Sequence, residues 1–370
     1  MGAYIVKRLL LMIPTLFGIM LMTFAVIQFV PGGPIEQIIA KIQGTAVDAT
    51  ARFGGQSGGE VGRAPDTSAM GGGSAAVKYR GAQGLDPEFI KKLEVQFGFD
   101  KPVYERFFLM MKNYLTFNFG ESYFRNKSVV DLMIEKMPVS ISLGLWLALI
   151  TNFVSIPLGI RKAVKDGSNF DIWTSGVIIV GYAIPSFILA IFMIVMFAGG
   201  SYFNWFPLRG LTSDNFADLS IFGKITDYAW HLVLPLIALG IGGFATTTLL
   251  TKNSFLDEIR KQYVVTARAK GLSERRVLYG HVFRNAMLIV IAGFPGAFLG
   301  AFFTGALLIE QIFSLDGLGL LTFNAALNRD YPVFFANLYI FTLVGLLVGL
   351  ISDLTYTWVD PRIDFESRDL

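Results

Sequence analysis

The chain has 370 residues, of which 53% are hydrophobic and 16% are charged, and its mean hydropathy is +0.55. Soluble domains usually carry about 25% charged residues, so this composition indicates a polytopic membrane protein. The net charge of +3 comes from basic residues spread along the chain, which gives little support for nucleic-acid binding. The absence of cysteine excludes disulfides and thiolate chemistry. The two histidines, His231 and His281, lack the spacing of a zinc site.

Residues 1–30 are predicted to form a transmembrane helix. Lys7 and Arg8 precede an apolar run from Leu9 to Val30, and a helix that spans a bilayer needs about 20 such residues. The run ends in Pro31-Gly32-Gly33-Pro34 and not in a small-residue cleavage site, so we interpret it as an uncleaved anchor.

Residues 31–136 are predicted to form a long insertion outside the membrane. Residues 44–84 are dominated by Gly, Ala and Ser, which is typical of a flexible loop; a role in gripping a ligand is the alternative. Asp86 can cap a helix that begins at Pro87. The residues from there to Lys136 mix aromatic with charged side chains, and we expect them to form a compact helical subdomain.

Five more apolar runs follow inside a predicted membrane core at 137–356, so the chain is expected to be all-α with six transmembrane helices. Residues 357–370 remain as a tail. The five runs are 138–160, 172–198, 232–250, 287–309 and 334–356. Pro185 and the Gly and Pro residues between 293 and 300 interrupt two of these runs; close helix packing and bending during a transport cycle are both compatible with them.

The basic residues predict the orientation, because short cytoplasmic loops are enriched in Lys and Arg. The opposite short loops carry only Arg209, Lys224 and Arg329. A loop as long as 31–137 is translocated largely regardless of its charge. Both termini are therefore predicted to be cytoplasmic and the long insertion periplasmic. The basic residues of the predicted inner side, apart from those of the segment 253–286, are Lys7, Arg8, Arg161, Lys162, Lys165, Arg362 and Arg368.

Motifs for nucleotide hydrolysis and zinc catalysis are absent from the sequence. The single Gly-Lys pair, Gly223-Lys224, lacks the upstream glycine of a Walker A motif and is followed by Ile225. No HExxH pattern occurs. The chain is therefore not expected to hydrolyse ATP itself.

Polar residues are rare in the predicted spans. None carries a carboxylate or a histidine near its middle, which counts against a proton-driven secondary transporter. We interpret Gln28, Asn152 and Asn337 as residues for hydrogen bonds between helices, with substrate contact as the alternative. Glu310 and Asp353 lie near span ends and are interpreted as structural.

The segment 253–286 is a polar, basic stretch between strongly apolar runs. It holds seven basic residues against three acidic ones between Asn253 and Asn285. Gly271 can adopt the left-handed conformation that ends a helix, and Ser273 can cap the next one. The pattern predicts a helix, a glycine corner and a second helix. Contact with anionic lipid headgroups and docking to a protein partner are both compatible with it.

Several motifs resemble the inner-membrane permeases of binding-protein-dependent ABC importers, in the dipeptide and oligopeptide branch. The stretch from Thr266 to Ser273, followed by His281-Val-Phe-Arg-Asn-Ala286, is similar to the EAA loop that docks into the ATPase in that family. Val265, Thr266 and Ala267 stand where the general loop begins Glu-Ala-Ala. Further matching stretches are Arg8 to Gly18, Pro31 to Pro34, Phe313 to Gly319, Arg329 to Pro332 and Asp360 to Arg362.

Within that branch the chain is most similar to the YejB type, associated with uptake of oligopeptides and of the peptide-nucleotide antibiotic microcin C. The residues Gly199 to Tyr202 and Lys252 to Glu258 carry this likeness. The resemblance implies a type I ABC importer permease fold in the bacterial inner membrane. It also implies a second permease, expected to be a different chain, an ATPase subunit that holds ATP and Mg, and a periplasmic peptide-binding protein.

The resemblance assigns the contact with the ATPase to one set of residues, while the chain itself is expected to hold no cofactor, metal or catalytic group. Membrane lipids are expected as further partners. A stand-alone channel or facilitator and a membrane receptor or scaffold are the alternatives. The assigned coupling residues are Val265, Thr266, Ala267, Arg268, Ala269, Lys270, Gly271, Leu272, Ser273 and Arg275.

Overall fold

The computed structural model describes residues 2–29, 33–42, 87–96, 99–200, 202–291, 293–294, 296 and 306–359. Almost all of them are helical, and their β structure is an isolated bridge between Glu121 and Ser128. The helices up to the second apolar stretch are α1 (Gly2–Phe29), α2 (Pro34–Ile42), α3 (Pro87–Gln96), α4 (Val103–Leu115) and α5 (Val129–Val164). The later helices are α6 (Asn169–Ala183), α7 (Ser186–Phe197), α8 (Ile221–Ile259), α9 (Gln262–Ala269), α10 (Glu274–Val277), α11 (Phe283–Ala286), α12 (Ala306–Ile312), α13 (Leu318–Asn328) and α14 (Tyr331–Val359).

The chain divides into two compact units. The larger unit contains Met1–Ile13, Ile134–Leu321 and Phe341–Leu370, and the smaller unit contains Pro14–Met133 and Thr322–Ile340. The helical class predicted from the sequence is confirmed.

Long apolar helices account for most of the predicted spans. Four of the described helices, α1, α5, α8 and α14, are long and apolar enough to cross a membrane, and the α6–α7 pair makes a fifth if it counts as one span. About half of the predicted span 287–309 lies outside the described residues, so the count of six stays a prediction. The helices also run beyond the predicted limits, because hydropathy marks the apolar part of a helix and not its polar ends.

The predicted span 172–198 is two helices in the structure. α6 and α7 meet at an angle of 96°. Ile184 adopts an extended conformation directly before Pro185, as expected because the proline ring disfavours helical geometry in the preceding residue. The structure thus contains a fixed bend at Pro185, while bending during a transport cycle stays a prediction.

In the larger unit, α8 is the central helix. It packs against α6, α7, α11 and α12. Its start is capped by Ser220, whose hydroxyl accepts a hydrogen bond of 3.2 Å from the Gly223 amide. α5 also approaches it closely: a Cβ on Gly159 would lie 2.6 Å from Thr251 Cβ and 2.7 Å from the Thr248 carbonyl oxygen. A glycine at 159 permits this approach.

In the smaller unit, α2 and α3 bury an apolar cluster, and a carboxylate holds the loop after α4. The cluster consists of Ile35, Ile39, Ile90 and Leu93. Asp330 is buried and accepts hydrogen bonds from the Ser122 hydroxyl at 2.5 Å and from the Tyr123 amide at 3.1 Å. Burial raises the pKa of Asp330, and these hydrogen bonds oppose that effect.

Parts of the predicted insertion agree with the structure. Pro87 is the first described residue of α3 and lies in the helix, as predicted, and α4 is a second helix within the range of the expected subdomain. Asp86, the segment 44–84 and residues 360–370 lie outside the described residues. The predictions for their structure therefore stay predictions.

We expect Gly159→Ala to lower the midpoint of thermal unfolding of the detergent-solubilised protein. The added methyl group overlaps backbone and side-chain atoms of α8, and overpacking of this kind costs about 1–3 kcal/mol. Gly176→Ala on α6 is the matched control, because a Cβ there meets nothing within 4 Å. Equal midpoints for the two variants would show that α5 and α8 do not pack this closely.

Candidate functional site

The basic segment 253–286 forms the predicted corner. Lys270 ends α9, and Gly271 follows with a φ of +81°, in the left-handed region that favours glycine. The Gly271 amide donates to the Arg268 carbonyl at 2.9 Å, and the Leu272 amide donates to the Ala267 carbonyl at 3.3 Å. These two bonds are those of a Schellman motif. The corner is therefore fixed by the backbone.

Apolar side chains fix the underside of the corner. Ala267 packs in one buried cluster with α5, α8 and the helices that follow, and Leu272 lies against the same cluster. Ala267 and Leu272 occupy the two positions at which an apolar contact commonly accompanies a Schellman motif. The buried members are Ile160, Ala163, Phe255, Val264, Ala267, Val277, Val282, Ala286, Met287 and Val290.

Most of the predicted coupling residues lie on the outer face of the corner. Val265 is an apolar side chain with 50% of its surface exposed, although its neighbour Val264 is fully buried. Ala267 is buried and Leu272 is half-buried, so these two support the corner from within. The exposed members are Val265, Thr266, Arg268, Ala269, Lys270, Gly271, Ser273 and Arg275.

An ion pair bridges the two helices of the corner. The Arg268 guanidinium contacts both carboxylate oxygens of Glu274, with Nε–Oε1 at 2.9 Å and Nη2–Oε2 at 3.1 Å. Both side chains are exposed, and pairs of this kind contribute about 0–1 kcal/mol. Ser273 occupies the predicted N-cap position of α10, but its side chain makes no capping hydrogen bond.

The base of the corner is tied to the end of α8. The Tyr263 hydroxyl donates to Glu258 at 2.7 Å, and the Ser254 hydroxyl donates to the Ala286 carbonyl at 2.5 Å. Burial raises the pKa of Tyr263, and the hydrogen bond to Glu258 adds to this effect. A π-helical turn, Leu278–Val282, follows α10, and such turns are frequent at functional sites.

A buried ionic network, which the sequence did not reveal, lies near the end of α8. Lys162 was predicted to be one of the basic loop residues, but it is on α5 with none of its side chain exposed. Its ammonium group lies 3.0 Å from Asp171 Oδ1. Lys252 on α8 lies 2.7 Å from Asp171 Oδ2 and 3.0 Å from Asp166 Oδ1. The sequence shows these charges but not which of them meet.

A second buried carboxylate, Glu310, organises the loop that resembles a family landmark. It accepts the Leu320 amide at 2.6 Å and lies 3.4 Å from the Ser140 hydroxyl. A Cβ on Gly317 would lie 2.4 Å from Glu310 Oε1, and one on Gly319 would lie 3.1 Å from Oε2. Glycine at these positions lets the loop wrap the carboxylate. The structural interpretation of Glu310 agrees with this arrangement.

Of the three residues predicted to form hydrogen bonds between helices, Gln28 is the one that does so among the described residues, while Asn152 and Asn337 do not. Asn152 donates to the Ala148 carbonyl of its own helix at 2.8 Å. Gln28 donates to the Phe24 carbonyl and accepts a hydrogen bond from Arg106. Asn337 is buried, and its amide atoms have no hydrogen-bond partner within the described part of the chain.

Asp353 joins the last helix to the first. It lies 2.7 Å from the Arg8 guanidinium and accepts a hydrogen bond of 2.8 Å from the Tyr4 hydroxyl. The structural role predicted for Asp353 agrees with these contacts. His231 likewise bonds within its own helix, with Nδ1 at 2.8 Å from the Asp227 carbonyl oxygen. Over the residues that the structure covers, no group of three or more His, Asp or Glu is placed to hold a metal ion.

The fold and the corner define a multi-pass helical membrane protein with a rigid polar element outside its apolar helices. A model of the family described as binding-protein-dependent transport system inner membrane component matches residues 155–365. The chain belongs to this family. It is a multi-pass inner-membrane protein and the permease component of an ABC importer of peptide-like substrates.

Curated relatives match the chain over its full length. The peptidoglycan transport system permease protein YejB of Agrobacterium fabrum is 66% identical over 372 residues, covering 100% of both chains. The inner membrane ABC transporter permease protein YejB of Escherichia coli O157:H7 is 58% identical, again over 100% of both. The oligopeptide transport system permease protein AppB of Bacillus subtilis is 31% identical over 99% of this chain and 100% of its own. The resemblance to the YejB type is confirmed.

Family membership also indicates which subunit of the importer performs which step. Members are permease subunits, ATP hydrolysis belongs to a separate subunit, and the importer includes a partner permease and a binding protein. Neither alternative from the sequence, a stand-alone channel or a receptor, describes such a subunit.

We expect the effect of Gly317→Ala to depend on Glu310. In the parent protein the new methyl group overlaps the carboxylate. The free energy of unfolding should therefore fall by about 1–3 kcal/mol, as is typical of overpacking, and the midpoint of thermal unfolding should fall with it. In a Glu310→Ala background the overlap is gone, and the same substitution should change the midpoint little. A double-mutant cycle isolates this coupling. Equal losses in both backgrounds would contradict the close contact.

Proposed function

We propose that the corner formed by α9, Gly271 and α10 docks into the ATPase subunit and carries its movement to the membrane helices. The observation that carries this proposal is the two-sided construction of the corner. Its inner face is packed against α5 and α8, while its outer face presents Val265 within a basic surface. A short helix can transmit force only if it is braced, and the Schellman bonds and the buried cluster supply that bracing.

The exposed residues favour a protein partner with a particular surface. Val265 can enter an apolar slot, and Lys270 and Arg275 can meet acidic groups at its rim. Arg268 already contacts Glu274, so it contributes less free charge than the sequence suggested. Lipid headgroups would attract the same cations, but they offer no slot for an exposed valine beside a fixed backbone corner.

The proposal places the corner and both termini on the cytoplasmic side and the insertion 31–136 on the periplasmic side. The basic residues of the short loops support this orientation. Lys162 adds little to that support because it is buried and paired with Asp171. The other basic residues of the predicted inner side still outnumber those of the opposite short loops.

Within this orientation, the binding protein delivers substrate at the periplasmic face and a second permease, a different chain, completes the path. ATP and Mg are held by the ATPase subunit. The names of the relatives, which include peptidoglycan and oligopeptide transport, support short peptides and peptide fragments of the cell wall as substrates. Peptide-like compounds such as microcin C, suggested by the resemblance to the YejB type, fit the same class.

We expect Gly271→Val to uncouple uptake from ATP hydrolysis in the assembled importer. No atom would clash with the new Cβ, so the effect comes from the left-handed backbone. A β-branched residue there costs about 1–2 kcal/mol, and about 1.4 kcal/mol corresponds to a ten-fold change in the population of the braced corner. Gly271→Asn should retain most coupling, because asparagine tolerates this conformation. The measurement is peptide uptake per ATP hydrolysed in proteoliposomes.

Gly200→Val is the matched control for backbone strain. Gly200 also has a positive φ, +71°, and open space around its Cβ position, but it follows α7 and lies outside the segment 253–286. It should reduce folding yield as much as Gly271→Val does without changing the ratio of uptake to hydrolysis. Normal coupling in Gly271→Val at equal insertion would refute the docking role.

A further inference from the structure

The ionic network at Lys162, Asp171 and Lys252 joins three helices, α5, α6 and α8. The Lys162 ammonium donates to the Asp171 carbonyl at 2.9 Å, to Thr174 Oγ1 at 2.7 Å and to Ser175 Oγ at 2.8 Å. An ammonium group has three donors, and one carboxylate balances its charge. Lys162 lies close to Asp171 Oδ1, but that atom has no hydrogen-bond partner among the described residues, whereas Asp171 Oδ2 accepts a hydrogen bond of 2.7 Å from Lys252. Lys252 therefore supplies a side-chain hydrogen bond to this buried carboxylate.

Lys252 differs from Lys162 in having access to solvent. Its side chain is 14% exposed, and its second partner, Asp166, is 40% exposed. A lysine at the rim of a membrane protein can extend its ammonium group into water. The Lys252 ammonium instead contacts two carboxylates, that of Asp166 in the turn between α5 and α6 and that of Asp171 in the first turn of α6. Arg260, which follows α8, approaches the same Asp166 at 3.8 Å.

The turn that Lys252 contacts is itself well ordered by local bonds. Gly167 has a φ of +74°, and its amide donates to Asp171 Oδ2 at 3.2 Å. Ser168 caps α6 by accepting from the Asp171 amide. The Asp171 carboxylate is thus held in place from the α6 side, and Lys252 reaches it and Asp166 from the α8 side.

The position of Lys252 on α8 connects this turn with the corner. Phe255 lies three residues further along α8, almost one helical turn away, and is fully buried in the cluster beneath α9 together with Ile160 and Ala163 of α5. Apolar packing thus joins α8 to α5 and the corner, and the ion pairs of Lys252 join α8 to the start of α6. α6 leads directly to the 96° bend at Pro185.

We propose that Lys252 is a positioning residue that locks the α5–α6 turn to α8, so that movement at the corner reaches α6 and the bent pair. This inference rests on the proposed docking of the corner. Without Lys252, the corner still binds the ATPase and Lys162 still pairs with Asp171. The start of α6, however, is no longer bound to the helix that moves with the corner.

The test compares two lysine variants in the complete importer with its ATPase and binding protein. Lys252→Met keeps the unbranched stem and removes the charge, and it should lower peptide uptake per ATP hydrolysed by about ten-fold, within the range typical of coupling between sites. Assembly with the ATPase should change little, whereas the midpoint of thermal unfolding should fall, because the buried Asp171 carboxylate loses its hydrogen bond from Lys252. Lys165→Met, on the same turn and exposed, should behave as the parent protein.

Two further variants separate positioning from structure. Lys252→Arg keeps the charge and should restore most of the coupling. Asp166→Asn removes the exposed partner without leaving a buried charge unpaired, and it should lower the ratio by a smaller factor. This variant also tests the inference if Lys252→Met does not assemble.

The outcomes distinguish this inference from the function on which it rests. If Lys252→Met retains full coupling while Gly271→Val loses it, the role of Lys252 is refuted and docking of the corner stands. If both variants retain full coupling, docking is refuted as well. If Lys165→Met loses coupling as strongly as Lys252→Met does, the loss of a positive charge near the turn explains both results. The positioning role of Lys252 is then refuted.

Discussion

The close approach of α5 to α8 is the constraint on which the rest of the larger unit depends. It requires a glycine at 159, because any Cβ there would overlap Thr251 and the backbone at Thr248. One residue later on α5, Ile160 enters the cluster with Phe255. Lys162 follows within a turn, so the same approach also removes its ammonium from water.

A buried ammonium sets strict requirements on what surrounds it. An isolated charge in an apolar environment is very unfavourable, and a buried pair is tolerated only when its hydrogen bonds are satisfied. The start of α6 meets this need with a carboxylate, two hydroxyl groups and a carbonyl oxygen around Lys162. The short turn between α5 and α6 is therefore determined by the helix packing that precedes it.

Sequence reasoning succeeded where a residue acts through its own backbone. Gly271 ends a helix and Pro87 begins one because of local conformational preferences, which need no knowledge of distant residues. The pairing of Lys162 with Asp171 and the contact of Gly317 with Glu310 depend instead on where separate helices meet. Charge counting therefore placed Lys162 in a loop, and hydropathy could not show which glycine touches a carboxylate.

For α9, the sequence could have predicted which residues are buried but not all of their contacts. Val264 and Ala267 are three residues apart and both are buried, whereas Val265 between them is exposed. Helical spacing could have separated the inner from the outer positions within the predicted coupling set. It could not have shown that Arg268 contacts Glu274, because that contact depends on the angle of the corner.

The residues that maintain the shape of the corner differ from those that form its exposed surface. Its shape rests on backbone hydrogen bonds at Gly271 and on side chains packed beneath α9, whereas the exposed ion pair of Arg268 contributes little to stability. The outer residues are thus not needed to maintain the fold, and under the proposed docking they can vary with the surface of the ATPase partner. The inner residues lack that freedom, because they join the corner to α5 and α8. This separation lets Val265 and Thr266 replace the Glu and the first Ala of the usual Glu-Ala-Ala, while the buried Ala267 keeps the last Ala and the corner keeps its geometry.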